Sequence, residues 1–96
     1  MDDDLRNTAV LAYVVHEATG LPGTRPQALI ELFGQEQGAE LREYVEAVLA
    51  EAFRQHAGPD LGESTHRMME AVGAVYPELS DEALKAVGAF WSYSWR

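Results

Sequence analysis

The chain has 96 residues, no cysteine, 16 carboxylate side chains against 7 lysines and arginines, and a formal net charge of −9. That length holds one hydrophobic core, and the absence of cysteine removes disulfides, thiolate nucleophiles and cysteine-ligated zinc together. The negative field repels phosphate backbones, so direct nucleic-acid binding is disfavoured, while 47% hydrophobic and 24% charged residues describe an ordinary folded domain and not a disordered segment.

The first helix is expected from Leu5 to Thr19. Asp2, Asp3 and Asp4 can cap it and put negative charge in its first turn, where the helix dipole favours it. Gly20 stands where a left-handed C-cap residue belongs. Leu5, Ala9, Ala12 and His16 align on one face, flanked by Leu11, Val15 and Ala18. Arg6 and Glu17 lie opposite, but so do Val10 and Tyr13, which leaves more apolar surface than one interface uses. On that face His16 is expected as a core histidine bonded to backbone. The aspartates stand where a signal peptide carries basic residues, and the longest apolar run, Ala9 to Val15, falls far short of the ~20 residues of a membrane span. A soluble, cytoplasmic protein is expected, and six arginines to one lysine hint at a GC-rich bacterial genome.

Leu21-Pro22-Gly23 reads as a turn. Thr24-Arg25-Pro26-Gln27 reads as a capping box, with threonine at the N-cap, glutamine three residues on and proline in the first turn. The short helix that follows is expected to bury Leu29, Leu32 and Phe33. Gly34 and Gly38 then either divide residues 25–57 into two helices or kink one long helix. Residues 39–57 carry the cleanest helical stripe: Leu41, Tyr44, Val45, Val48, Leu49, Ala52 and Phe53. The opposite face holds Glu36 (if the helix is continuous), Glu40, Glu43, Glu51 and Arg54, with Glu46 at the border. His56 falls in the last turn, where an imidazolium complements the helix dipole, and Ala57-Gly58-Pro59 ends the helix.

The fourth helix is expected to start on Asp60, with Glu63 three residues later and Ser64 as a second possible cap. It is expected to bury Met68, Met69, Val72, Val75 and Tyr76 before Pro77 stops it. Ser80 caps the last helix, with Leu79 and Leu84 forming a hydrophobic staple. On that helix Leu84, Gly88, Trp91 and Trp95 share one face, beside Ala83, Val87, Phe90 and Ser94. A helix apolar over most of its circumference must be covered on several sides, so this one is read as the centre of the domain. No stretch alternates with period two, and no sheet is expected. The fold class is all-α: a compact bundle of about five helices, residues 1–96 forming a single domain with sequential helices roughly antiparallel.

An enzyme is not expected. No serine stands in a Gly-x-Ser-x-Gly elbow, and the glycines sit at helix ends and not in a phosphate-cradling loop. Glu63-Ser64-Thr65-His66 is an E-x-x-H element with Glu70 four residues beyond His66. That spacing puts a carboxylate and an imidazole on one helical face, as carboxylate-bridged metal bundles require. A metal-binding oligomer, with Glu31 or Glu43 bridging from a second copy, is therefore the alternative reading. Glu63 and Arg67 are equally an ordinary i, i+4 ion pair, so no cofactor is expected. The first reading is a non-enzymatic protein-binding module, an inhibitor, immunity-type or adaptor protein. It docks on a basic partner surface through Glu36, Glu40, Glu43, Glu46 and Glu51, with Tyr13 as an apolar contact. The plain counterparts are a merely solvated acidic face and a structural subunit of a larger assembly. In profile, being small, acidic, helical and cysteine-free, the chain is similar to bacterial toxin-neutralising immunity proteins and phage-encoded inhibitors. No motif carries that likeness, and no residue role follows from it. The surplus apolar surface on the first helix (Val10, Tyr13, Val14) or the Phe90/Tyr93 edge of the last predicts a homodimer.

Overall fold

The computed structural model describes residues 3–16, 22–24 and 26–94. Among these it has five helices, α1 (Asp3–Tyr13), α2 (Pro26–Phe33), α3 (Gln35–Phe53), α4 (Leu61–Val75) and α5 (Asp81–Ser94). Between α1 and α2 lie two short strands, β1 (Val14–His16) and β2 (Pro22–Thr24). The bundle measures 41 × 31 × 19 Å, and since a helix with its side chains is about 10 Å across, it is two helix layers thick. The all-α bundle expected from the periodicity is the fold observed.

The largest departure is the end of the first helix. α1 stops at Tyr13 and not at Thr19, and Val14, Val15 and His16 pair antiparallel with Thr24, Gly23 and Pro22. Two successive β-branched valines are stiff at χ1, weak helix formers and good strand formers. Pro22, the first residue of β2, occupies a position where a strand tolerates the missing N–H. Strands of three residues are too short to display an alternation, which is why no sheet was expected. His16 therefore belongs to a strand and not to an apolar helical face, and Gly20 lies outside the described residues.

Pro26 opens α2, the position where a fixed φ and a missing N–H cost least. Thr24 falls in β2, and Arg25, the residue immediately before the helix, lies outside the described residues. The alternative left open at Gly34 is decided in favour of two helices. Gly34 has φ +84°, a left-handed value that favours glycine; its N–H closes α2 on the Ile30 carbonyl at 2.9 Å, and its own carbonyl accepts from Gly38 N at 2.9 Å to open α3. Gly38 then lies against the backbone of α2. A Cβ there would stand 2.6 Å from the Leu29 carbonyl oxygen and 2.8 Å from Ile30 Cα, so the absent side chain is what lets α3 fold back on α2.

α3 ends at Phe53, with Arg54 N bonded to the Ala50 carbonyl, and His56 lies past its end and not in its last turn. The connection is pinned where Gly58 N donates to Ser64 Oγ at 2.7 Å, so Ser64 is a buried acceptor for the loop and not a cap. Asp60 is the cap, accepting from Glu63 N at 3.1 Å. Ser80 caps α5 by accepting from Ala83 N at 3.2 Å, and Leu79 and Leu84 both join the core.

α5 packs against α1, α3, α4 and both strands, and Trp91 is fully buried among them. Gly88 lies under the Met69 side chain of α4. Trp95 lies outside the described residues. Around α5 the core is completed by Val10, Leu29, Leu41, Val45, Val48, Met68, Val72 and Val87, all fully buried. Leu32 and Val75, expected in the core, are instead more than half exposed. Each lies near the end of a helix that presents its other apolar residues inward.

Candidate protein-docking face

The outer face of α3 carries the carboxylates singled out in the sequence. Glu36, Glu40 and Glu43 stand at i, i+4 and i+7 on one side of the helix, all exposed. Among the described residues none of these three carboxylates has an ion-pair or hydrogen-bond partner. Glu46 and Glu51 differ. Glu46 meets Arg42 Nε at 3.4 Å, and Glu51, only 18% exposed at its side chain, meets Arg54 at 3.3 Å. Surface pairs of this kind add little stability, but each cation neutralises the field of its carboxylate. The open negative strip is therefore Glu36, Glu40 and Glu43, with Glu46 and Glu51 as partly neutralised edges.

Tyr13 does not belong to this face. It is 7% exposed and sits in the core with Val10 and Val14. Burial, and then the charge of Glu46, raise the pKa of its hydroxyl, with Arg42 opposing. The first helix thus spends within the chain the apolar surface that had suggested a homodimer there. α1 was expected to remain helical through Val14 and Val15; the turn into β1 folds that end of the chain onto α5 instead.

At the far end of α3 the surface becomes apolar. Phe53, 39% exposed, meets Phe90 of α5 edge-to-face with ring centroids 5.8 Å apart, and Tyr93, one turn beyond Phe90, is 42% exposed. Glu43, Glu46, Ala50 and Phe53 follow one another at i, i+3, i+7 and i+10, so one exposed row of α3 runs from acidic through small to aromatic. The sequence reading put Phe53 on the core stripe, because a residue at the border of a stripe is assigned by its neighbours.

The E-x-x-H residues do not converge. Glu63 pairs with Arg67, while His66 Nε2 lies 3.1 Å from Glu70 Oε1, all four side chains being well exposed on α4. Among the described residues no three histidines or carboxylates stand close enough together to hold a metal ion.

A polar cluster that the sequence did not announce joins α1, α3 and the turn between α4 and α5. The Tyr44 hydroxyl donates to Glu78 Oε2, the Tyr76 ring stands edge-on to Tyr44 at 5.6 Å, and the Arg6 guanidinium lies 5.4 Å from the centre of the Tyr44 ring. Asn7 Nδ2 donates to the Glu78 carbonyl at 3.0 Å, and Asn7 Oδ1 accepts from Ser80 N at 2.7 Å. The Tyr44 hydrogen bond holds the Glu78 carboxyl below the usual carboxylate range, with partial burial opposing, while burial and then Glu78 hold the Tyr44 hydroxyl well above its ordinary value. This cluster ties α1, α3 and the turn before α5 to one another. Its only trace in the sequence is that a tyrosine at the edge of an apolar stripe needs a partner for its hydroxyl.

No helix among the described residues is long and apolar enough to cross a membrane. No family model matches the chain, and no curated protein and no solved structure matches it either.

Proposed function

We propose that this chain is a non-enzymatic binding protein, an inhibitor, immunity-type or adaptor protein, that covers a basic surface of another protein with the outer face of α3. The observation that supports this reading is the strip of Glu36, Glu40 and Glu43, exposed and without an ion-pair partner among the described residues. Carboxylates left unpaired on a rigid helix keep their field for a partner, raise the rate of encounter with a positive surface and set its register. The net charge of −9 acts in the same direction at longer range. The binding role needs neither a cofactor nor a metal.

The test is capture of a stoichiometric partner from the native host, followed by kinetics with the purified pair. Association is expected to slow steeply as ionic strength rises, because exposed charges separated by more than ~10 Å are screened at 0.1 M salt. The double charge reversal Glu40→Lys/Glu43→Lys is expected to slow it further while leaving the helical content intact. Binding that ignores both salt and charge reversal would remove the acidic face from the function.

A further inference from the structure

We propose that Met69 is a peroxide-sensitive fastening of α4 to α5: oxidation of its thioether to the sulfoxide loosens α4 from the central helix, and reduction restores the contact. The inference is independent of the docking reading above and comes from the way the two helices interlock. A Cβ on Gly88 of α5 would stand 2.9 Å from Met69 Sδ and 3.3 Å from both Met69 Cγ and Thr65 Cγ2, so the methionine sulfur is seated directly on the Gly88 backbone. One turn along, the relation is reversed. There Leu84 of α5 reaches Gly73 of α4, whose Cβ would lie 3.4 Å from Leu84 Cδ1. Each helix thus offers a glycine to a long side chain of the other, and Met69 is the half of this joint that carries an oxidisable atom. Its neighbour Met68 is fully buried in the core, whereas Met69 is only partly buried. The chain has no cysteine, so its sulfur chemistry is confined to three methionines.

Hydrogen peroxide transfers one oxygen atom to the sulfur. The O–O bond breaks, an S–O bond forms and water leaves, the sulfur losing two electrons and the peroxide gaining them. The product is larger and polar, and its oxygen requires a hydrogen-bond donor wherever water is excluded. The seat on Gly88 supplies none. The Thr65 hydroxyl already donates to the Leu61 carbonyl at 2.7 Å, and the N–H groups of α5 around Gly88 are spent within the helix. The oxygen must therefore reach water, either by drawing the side chain out of the joint and leaving Gly88 uncovered, or by moving α4 away from α5. Both lose the close packing that the two glycines permit. Two thiols acting through a methionine sulfoxide reductase return the thioether, becoming a disulfide while the oxygen leaves as water.

The experiment treats the full chain with hydrogen peroxide and reads oxidation at each methionine by fragment-ion mass spectrometry. Met69 is expected to oxidise at least about tenfold faster than Met68, since susceptibility follows exposure. Chain oxidised at Met69 is expected to melt at least about 4 °C lower. Its amide exchange should rise most in α4, and both changes should reverse on treatment with methionine sulfoxide reductase and dithiothreitol. Met69→Leu, a nearly volume-conserving change, should fold and keep its melting temperature in peroxide. Met69→Gln, which sets a polar group on Gly88 without any oxidant, should show the lowered melting temperature and the α4 exchange pattern untreated. Equal rates at Met68 and Met69, an unchanged melting temperature at full Met69 oxidation, or a loss that the reductase does not reverse would each overturn the inference. So would the same loss in peroxide-treated Met69→Leu, because another residue would then be the target. A rise in exchange spread evenly over all five helices would mean general destabilisation and overturn the release of α4. Should either variant fail to fold, the oxidation and repair cycle of the unaltered chain decides.

Discussion

The hydroxyl of Tyr44, in the middle of α3, donates to the carboxylate of Glu78, which lies in the turn leading into α5. At the other end of the same two helices Phe53 meets Phe90. These two contacts hold α3 and α5 together with the two helices running in the same direction. α1 packs against both and adds Arg6 and Asn7 to the first contact.

Removing the tyrosine hydroxyl tests the first tie. Tyr44→Phe is expected to lower stability by about 1–2 kcal/mol, below the upper range for a hydrogen bond to a charged group because the site is only half-buried. Glu78→Gln retains an acceptor and should cost less. The double variant should fall short of the sum of the singles, giving a coupling near 1 kcal/mol in urea unfolding. Strict additivity would show that the contact contributes nothing.

The same pair sets the pH dependence. Glu78 has a depressed pKa in the fold, so its contribution is present above the ordinary carboxylate pKa of 4.5 and is lost as the pH falls through the lower, folded value. Tyr44 and Tyr13 have raised values, so their contribution is complete below the ordinary 10.0 and is lost as the pH rises through the folded values. Urea midpoints measured across pH should decline in acid and again in strong alkali. Glu78→Gln should flatten the acid limb, and Tyr44→Phe part of the alkaline one.

Two glycines in helices should respond oppositely to alanine. Gly38→Ala forces a methyl group into the backbone of Leu29 and Ile30 and is expected to cost about 1–3 kcal/mol as α2 is pushed from α3. Gly73→Ala meets only Leu84 Cδ1 at an ordinary 3.4 Å. There the gain in helix propensity, up to about 1 kcal/mol, should be neutral to stabilising. Thermal unfolding of the two variants separates close approach from propensity.

Tyr13→Glu distinguishes a core residue from an interface residue. Because Tyr13 is buried with Val10 and Val14, a carboxylate there should unfold or strongly destabilise the chain. Loss of helical circular dichroism is the expected outcome, and a folded variant with only an altered oligomeric mass would contradict it. Trp91→Ala should destabilise by roughly 3–5 kcal/mol, a large part of the 5–15 kcal/mol typical of a folded domain.

Features carried by neighbouring residues were legible in the sequence alone. Asp60 and Ser80 start α4 and α5 because a side-chain oxygen three residues before an N–H is a purely local arrangement. The apolar breadth of the last helix is equally local, and it placed Trp91 at the centre of the bundle. The ion pairs Arg42–Glu46 and Glu51–Arg54 are local too, and their spacing alone could have marked those two glutamates as partly neutralised. Tertiary structure decided the rest. Whether Val14 and Val15 continue a helix or leave it depends on Gly23 and Thr24 reaching them from across a turn. Whether Gly34 bends a helix or ends one depends on the α2 backbone that Gly38 touches. The Tyr44–Glu78 tie joins residues 34 positions apart, and the aromatic pair at the end of α3 exists only because α5 brings Phe90 to Phe53. Caps and stripes act over one or two turns, whereas these contacts require the packed bundle to bring distant residues together.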